Sequence, residues 1–332
     1  MTYPYHNYLV EVTNKESMDE AKQSAVNANK LLNVSEFESI DDATSALISM
    51  KAAYKDLSEE SIIDRLNEIG NNYSISTDEL ATGLQNAGST LSLLGNSIDE
   101  SVALITAGNA TIQDVNSVSS GIRTVALRIM GTEEAKDELE SLGETVDDYV
   151  VETKAKKQQI IKDYTAVASN NGQGVDILNE NGNYKNTYEI LSEIGQIYQE
   201  IQEEDKKFGS NRASALIEEL AGKNRSSVVS SILQNYELLD KVKKSSEEAS
   251  GSADTENQKY LESTEAKLSL LQTQLQELAT VTIDSDTFKG AIEAATSFLS
   301  LLTDIIEKVP LLQTVLGGFI TKKGLGKHIV VV

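Results

Sequence analysis

Proline is the residue this chain does without. Pro4 and Pro310 are the only two, so about 300 consecutive residues lack the side chain that most strongly breaks helices and central strands. Long elements are therefore permitted, and the apolar spacing says which kind. Across 17–53, Ala21, Ala25, Ala28, Leu31 and Leu32, then Ile40, Ala43, Leu47 and Met50, recur at intervals of three and four, as on one face of a helix. A helical hairpin is predicted. Ser58 precedes a further helix carrying Ile62, Ile63, Leu66 and Ile69, which Gly70, Asn71 and Asn72 are placed to stop.

Two pairs, Ser76 with Glu79 and Ser97 with Glu100, have capping-box spacing, in which a hydroxyl and a carboxylate satisfy amides that the first turn of a helix leaves unpaired. With Gly88 and Gly95 marking turns and the second helix running to Gly108, this region reads as compact helices rather than one rod. A helix over Val115–Met130 follows, ending near Gly131. The Asn and Gly run between Asn170 and Asn183 carries turn chemistry and marks a boundary. Beyond it Tyr184–Gln202, Asn211–Ala221 and Ser226–Lys243 read as helices, and Ser250-Gly251-Ser252 as a turn. Leu261, Leu268 and Leu275, interleaved with Leu271 and Leu278, give a coiled-coil-like seam over 257–282, interrupted by Thr264. Three heptads serve packing within a bundle or pairing between chains equally well. Aromatic residues make up 5% of the chain and Trp is absent, so much of the apolar surface must come from Leu, Ile, Val and Ala. The fold class is all-α: multi-helix bundles with short amphipathic helices followed by longer ones.

Several function classes fall away. With 29 basic against 52 acidic residues and a net charge of -23, the chain repels phosphate and is unsuited to specific nucleic-acid binding. Without cysteine it has no disulfide, thiolate nucleophile or cysteine metal site. Met1–Val12 lacks a basic leader followed by an apolar run and does not read as a signal peptide. The apolar stretch Phe298–Ile320 is interrupted by Asp304, Glu307, Lys308 and Pro310 before it reaches the roughly 20 residues of a spanning helix.

Carboxylate pairs such as Asp41-Asp42, Glu59-Glu60, Asp147-Asp148, Glu203-Glu204 and Asp284 with Asp286 are too common in so acidic a chain to single out an acid and base pair, and read as solvated faces. His6 and His328 stand near opposite ends with no ligand neighbourhood. Asp284 and Asp286 lack the rest of a calcium loop, and Gly317-Gly318 and Gly324-Leu-Gly326 do not complete a phosphate-binding fingerprint. No Gly-x-Ser-x-Gly elbow occurs. No catalytic, cofactor-binding or metal-binding residue is nominated, and no cofactor is expected.

Particular strings carry a resemblance. They are Asp64-Arg-Leu-Asn-Glu-Ile-Gly-Asn-Asn72, Ser76-Thr-Asp-Glu-Leu-Ala81 leading into Leu84-Gln-Asn-Ala87, Gly95-Asn-Ser-Ile-Asp-Glu-Ser-Val-Ala-Leu-Ile-Thr-Ala107 and Ile122-Arg-Thr-Val-Ala-Leu-Arg-Ile-Met-Gly131. Downstream stand Gly182-Asn-Tyr-Lys-Asn-Thr-Tyr-Glu-Ile-Leu191, Glu219-Leu-Ala-Gly-Lys-Asn-Arg225 and Ser250-Gly-Ser-Ala253. The chain over roughly 35–325 resembles phage tail tape-measure proteins of phages and prophages of Gram-positive bacteria, with these strings in the same order.

The resemblance implies a structural protein without catalysis that fills the lumen of the growing tail, sets its length and leaves ahead of DNA. It would be synthesised and assembled in the host cytoplasm. The partners it implies are tail tube subunits, tail assembly chaperones, tail tip or baseplate proteins and further copies of itself. Tape measures are usually longer and the end at Ile329-Val-Val-Val332 is abrupt, so a piece of a longer protein is expected, with any host-membrane contact or murein hydrolase outside it. The expected organisation is a hairpin over 1–57, a tape-measure core over 58–169, a linker over 170–183, long helices over 184–310 and a glycine-containing tail over 311–332. Two other classes compete: a membrane-active, pore-forming helical protein, from the apolar stretch before Pro310, and a cell-wall hydrolase fragment, from the surplus of carboxylates.

Overall fold

The computed structural model describes residues 15–169 and 172–263, and the chain is an all-α, multi-helix protein. Thirteen helices lie among the described residues: α1 (Lys15–Asn33), α2 (Ile40–Ala53), α3 (Glu59–Asn72), α4 (Thr77–Leu93), α5 (Ile98–Ile112), α6 (Val115–Met130), α7 (Glu133–Ser141), α8 (Asp148–Val151), α9 (Lys154–Thr165), α10 (Thr187–Phe208), α11 (Arg212–Gln234), α12 (Tyr236–Glu247) and α13 (Ser252–Glu262). The only extended pairing among these residues is an isolated antiparallel bridge, Leu178 with Tyr184. Contacts divide the chain into one compact unit over Met1–Asp254 and a second over Thr255–Val332. The 170–183 segment lies inside the first. The heptad leucines beyond Leu261 fall outside the described residues, as do His6, His328, Asp284, Asp286 and the glycines of 317–326.

Caps set the helix starts. Ser58, Ser76 and Ser97 each accept a backbone N–H three residues on, and the last two form complete capping boxes with Glu79 and Glu100. Such a cap contributes about 1 kcal/mol. Gly131 ends α6 at φ 57. α3 ends at Asn72, on the expected Gly70-Asn71-Asn72 run, although Gly70 itself lies inside the helix against Thr77 and Tyr73 is the C-cap. Gly88 likewise sits inside α4 facing the Tyr54 ring, leaving Gly95 as the turn. Close approach to Thr77 accounts for Gly70, whereas a Cβ at Gly88 would meet the Tyr54 ring only at an ordinary 3.4 Å. Downstream, the expected helix over Ser226–Lys243 is divided at Asn235 into the end of α11 and the start of α12.

The centre of the first unit is α5, in which 11 of 15 residues are buried. It is covered by α4, α6, α11 and α12. A helix apolar on nearly all sides must be wrapped by others, and each fully buried Leu, Ile or Val in it contributes about 1.5–3 kcal/mol of transfer free energy. Where α6 crosses α11, Gly121 lets the backbones approach: a Cβ there would stand 2.7 Å from Cγ2 of Val228. Among the described residues no helix is long and apolar enough to cross a membrane.

Candidate functional site

Three downstream strings return to α3–α6, and each does so through polar groups. The turn before α13 is held by Asp64 of α3, whose two carboxylate oxygens accept the N–H groups of Gly251 at 2.9 Å and Ala253 at 3.0 Å. Asn67 donates to Oγ of Ser252 at 2.9 Å, and that hydroxyl donates to Glu68 at 3.0 Å. A carboxylate on one helix thus caps another remote in sequence, satisfying amides that α13 leaves open.

The second junction joins two helix N-termini. Asn186 caps α10 and forms a capping box with Glu189, while its side-chain amide donates to Glu100, the capping carboxylate of α5, at 3.1 Å. The buried Asn96 accepts the Tyr188 N–H at 3.0 Å and donates to the Leu91 carbonyl at 2.9 Å. Close by, Asp99 accepts from Nε of Arg65 at 2.7 Å and from the Ser246 hydroxyl at 2.6 Å. The Tyr188 hydroxyl donates to Asp240 at 2.7 Å. Burial, and then this carboxylate acceptor, push the phenol well above its ordinary pKa.

The third junction is the most deeply built. Arg128 of α6 is 1% exposed, a position an arginine occupies only when its donors are engaged. Its Nε and Nη2 donate to the Glu219 carbonyl at 3.1 and 2.9 Å, Nη1 to the Thr145 carbonyl at 3.1 Å, and Nη2 also to both oxygens of Asp147 at 3.1 and 2.8 Å. The Glu219 carbonyl is free to accept because α11 breaks at Gly222, which takes φ 68 and ψ 174. Only glycine adopts that backbone without strain. Arg128 therefore caps the C-terminal end of the first half of a broken helix, where the dipole favours a cation. Lys157, fully buried, does the same for α6, donating to the carbonyls of Arg128 at 2.7 Å and Ile129 at 3.1 Å. Both cations stand over the Tyr149 ring, at 5.9 and 5.2 Å from its centroid. Burial, then the neighbouring Arg128, pull the Lys157 ammonium down to about 8.

Beside this junction opens a cleft of about 390 Å³ whose lining includes Asp147, Asp148, Glu152, Glu218 and Glu219. Burial, then Asp147, raise the Glu219 carboxyl from its ordinary value. That is one half of what general acid and base chemistry needs. The other half is already engaged, because Asp147 is tied to Arg128 and also caps α8. Asp147 and Glu59 are half-buried, so the solvated-face expectation holds for them only in part: Asp147 is 39% exposed yet tied to Arg128, and Glu59 accepts from Ser24 at 2.8 Å and Asn27 at 2.9 Å. Asp41, Asp42, Glu60, Asp148 and Glu203 are exposed. Among the described residues no group of three or more His, Asp and Glu is placed to hold a metal ion.

The family model for phage-related minor tail proteins matches residues 11–222. The match covers more than half of the chain and ends on the glycine at which α11 breaks. The chain belongs to the phage-related minor tail protein family. As a minor tail protein it is a structural component of the phage tail. No solved structure matches it. The Arg128 junction closes within the matched residues, and the Asp64 junction binds the following turn to this minor tail protein's core.

Proposed function

We propose that this minor tail protein is the tail's tape measure, occupying the lumen of the growing tube, setting how many rings are stacked and leaving ahead of DNA. The observation that carries the reading is the family match over 11–222. Two physical features support it. The net charge of -23 gives the chain weak attraction to the DNA that must pass through the same channel. Residues up to Asp254 fold back into a compact unit, so a length-setting segment belongs after it, and the leucine heptads over 257–282 offer one. Its partners on this reading are tube subunits, tail assembly chaperones, tip or baseplate proteins and other copies of the chain.

The test uses the parent phage. An α-helix rises about 1.5 Å per residue, so removing Asn257–Thr282 in frame is expected to shift the whole tail-length distribution down by roughly 40 Å, rounded to whole rings. Electron microscopy of virions reads the result. Normal tails of unchanged length, or no tails at all, would remove the measuring role from this segment.

A further inference from the structure

Residues 132–146 differ from the rest of the first unit in how they are held. They carry α7 and the loop to α8, with six carboxylates against one lysine, Lys136. Their apolar residues do not join the main core. Ala135 and Leu139 instead form a small separate cluster with Leu127 and Val150, and Val146 packs against it. Among the described residues, the backbone hydrogen bonds of the segment beyond the Gly131 cap close within itself. Beyond that small apolar cluster, the ties to the body are ionic and polar. Arg123 of α6 meets Glu138 at 2.6 Å, Arg225 of α11 meets Glu144 at 2.6 Å, and Arg128 donates to the Thr145 carbonyl. Two of the chain's five arginines thus face the segment's carboxylates.

Both ends are fixed. Gly131 holds the left-handed C-cap of α6. Asp147 is held by Arg128, and Tyr149 just beyond belongs to the main core. Detaching the segment between these points leaves no buried cation stranded, since Arg128 keeps Asp147 and the Glu219 carbonyl. Elements with few buried apolar contacts open below the free energy of the whole. The Arg123–Glu138 pair is partly exposed on both sides and resists opening only weakly, whereas Glu144 is buried and depends on Arg225, so that pair is the stronger latch.

We propose that residues 132–146 form an ionic strap that lifts as a unit while the main core stays folded, latched chiefly by Arg225 on Glu144. Lifting uncovers Leu127 and frees the guanidinium groups of Arg123 and Arg225 from their carboxylate partners. This inference stands whether or not the protein measures tail length.

The chain has no cysteine, so single thiols report opening cleanly. Ala135→Cys in the strap is expected to react with a thiol reagent about 100-fold or more faster than Ala126→Cys in the main core, because only the strap opens locally. Adding Arg225→Gln is expected to speed the strap thiol about threefold or more. Amide hydrogen exchange on the unsubstituted chain, comparing 133–146 with 98–112, checks the same difference where a cysteine variant fails to fold. Equal rates for the two thiols, or equal protection of the two segments, would show that the strap yields only with the whole molecule. No response to Arg225→Gln would show that the latch is not ionic. Either result overturns the proposal.

Discussion

Helices between Glu59 and Met130 meet chiefly through apolar stripes and close backbone approach, whereas the segment between Glu133 and Thr165 joins the body largely through cationic side chains, Arg128 and Lys157 buried, Arg123 and Arg225 partly exposed. In the first region α5 is wrapped on nearly every side and Gly121 brings α6 against α11. Where the two regions meet, Arg128 of α6 and Lys157 of α9 give their donors to carbonyls at helix ends. The difference teaches where each kind of contact is used. Apolar stripes suffice when whole helix faces oppose one another. Where helices stop or break short of a partner, the exposed carbonyls need donors, and a long cationic side chain supplies several from one position.

The sharpest way to break this comparison is Arg128→Ala. It removes the buried side chain and its hydrogen bonds to Asp147 and to the Thr145 and Glu219 carbonyls, with an expected loss of about 2–4 kcal/mol, moderated because the Asp147 carboxylate left behind is 39% exposed. Urea denaturation measures it, and a loss within experimental error would mean that the junction is decoration. Gly121→Ala probes the apolar side. Overpacking against Val228 costs about 1–3 kcal/mol, offset in part by the roughly 1 kcal/mol that Ala contributes over Gly inside a helix. A net loss is expected, and Val228→Ala in the same chain should recover part of it. Additive effects in that double-mutant cycle would place the close approach elsewhere.

The smallest expected effect is a pH slope. Because the folded chain holds the Lys157 ammonium near 8 while the unfolded chain holds it near its ordinary value, the unfolded state binds more protons between those limits. Stability therefore rises with pH above about 8, by about 1 kcal/mol per unit. A neutral amine still offers two N–H groups to the two carbonyls. The rise ends near pH 10, since the Tyr54, Tyr149 and Tyr188 phenols are pushed upward by burial and oppose it once the unfolded chain ionises. Lys157→Met should flatten the slope between pH 8 and 10, and an unchanged slope would assign it to other groups.

The same contrast separates what could be read in the sequence from what could not. Ser58, Ser76 and Ser97, the periodic leucines and isoleucines, and Gly131 are local signals, and the helices they announced are present. Residues 132–165 announced nothing, because α7 buries only Ala135 and Leu139 and its other side chains are mostly charged. The polar junctions were equally silent. Arg128 lies in one of the strings that carry the family resemblance, yet its role depends on Gly222, remote in the chain, opening the Glu219 carbonyl. Asp64 with Gly251 and Asn96 with Tyr188 are likewise pairings of residues remote in sequence. Only the Asn-Gly turn residues and the capping pattern of Asn186 with Glu189 could have hinted where α10 begins.

The wrapping of α5 sets an order of events during synthesis. Its covers α4 and α6 adjoin it in the chain, but α12, which packs along it, ends at Glu247. Roughly 130 residues separate the end of α5 from the end of its last cover, so at a bacterial elongation rate of about 5–20 residues per second the helix waits on the order of ten seconds with an apolar side uncovered. For that interval the nascent chain presents a surface that the finished protein hides, and a partner able to shield it would be needed early and released once α12 docks.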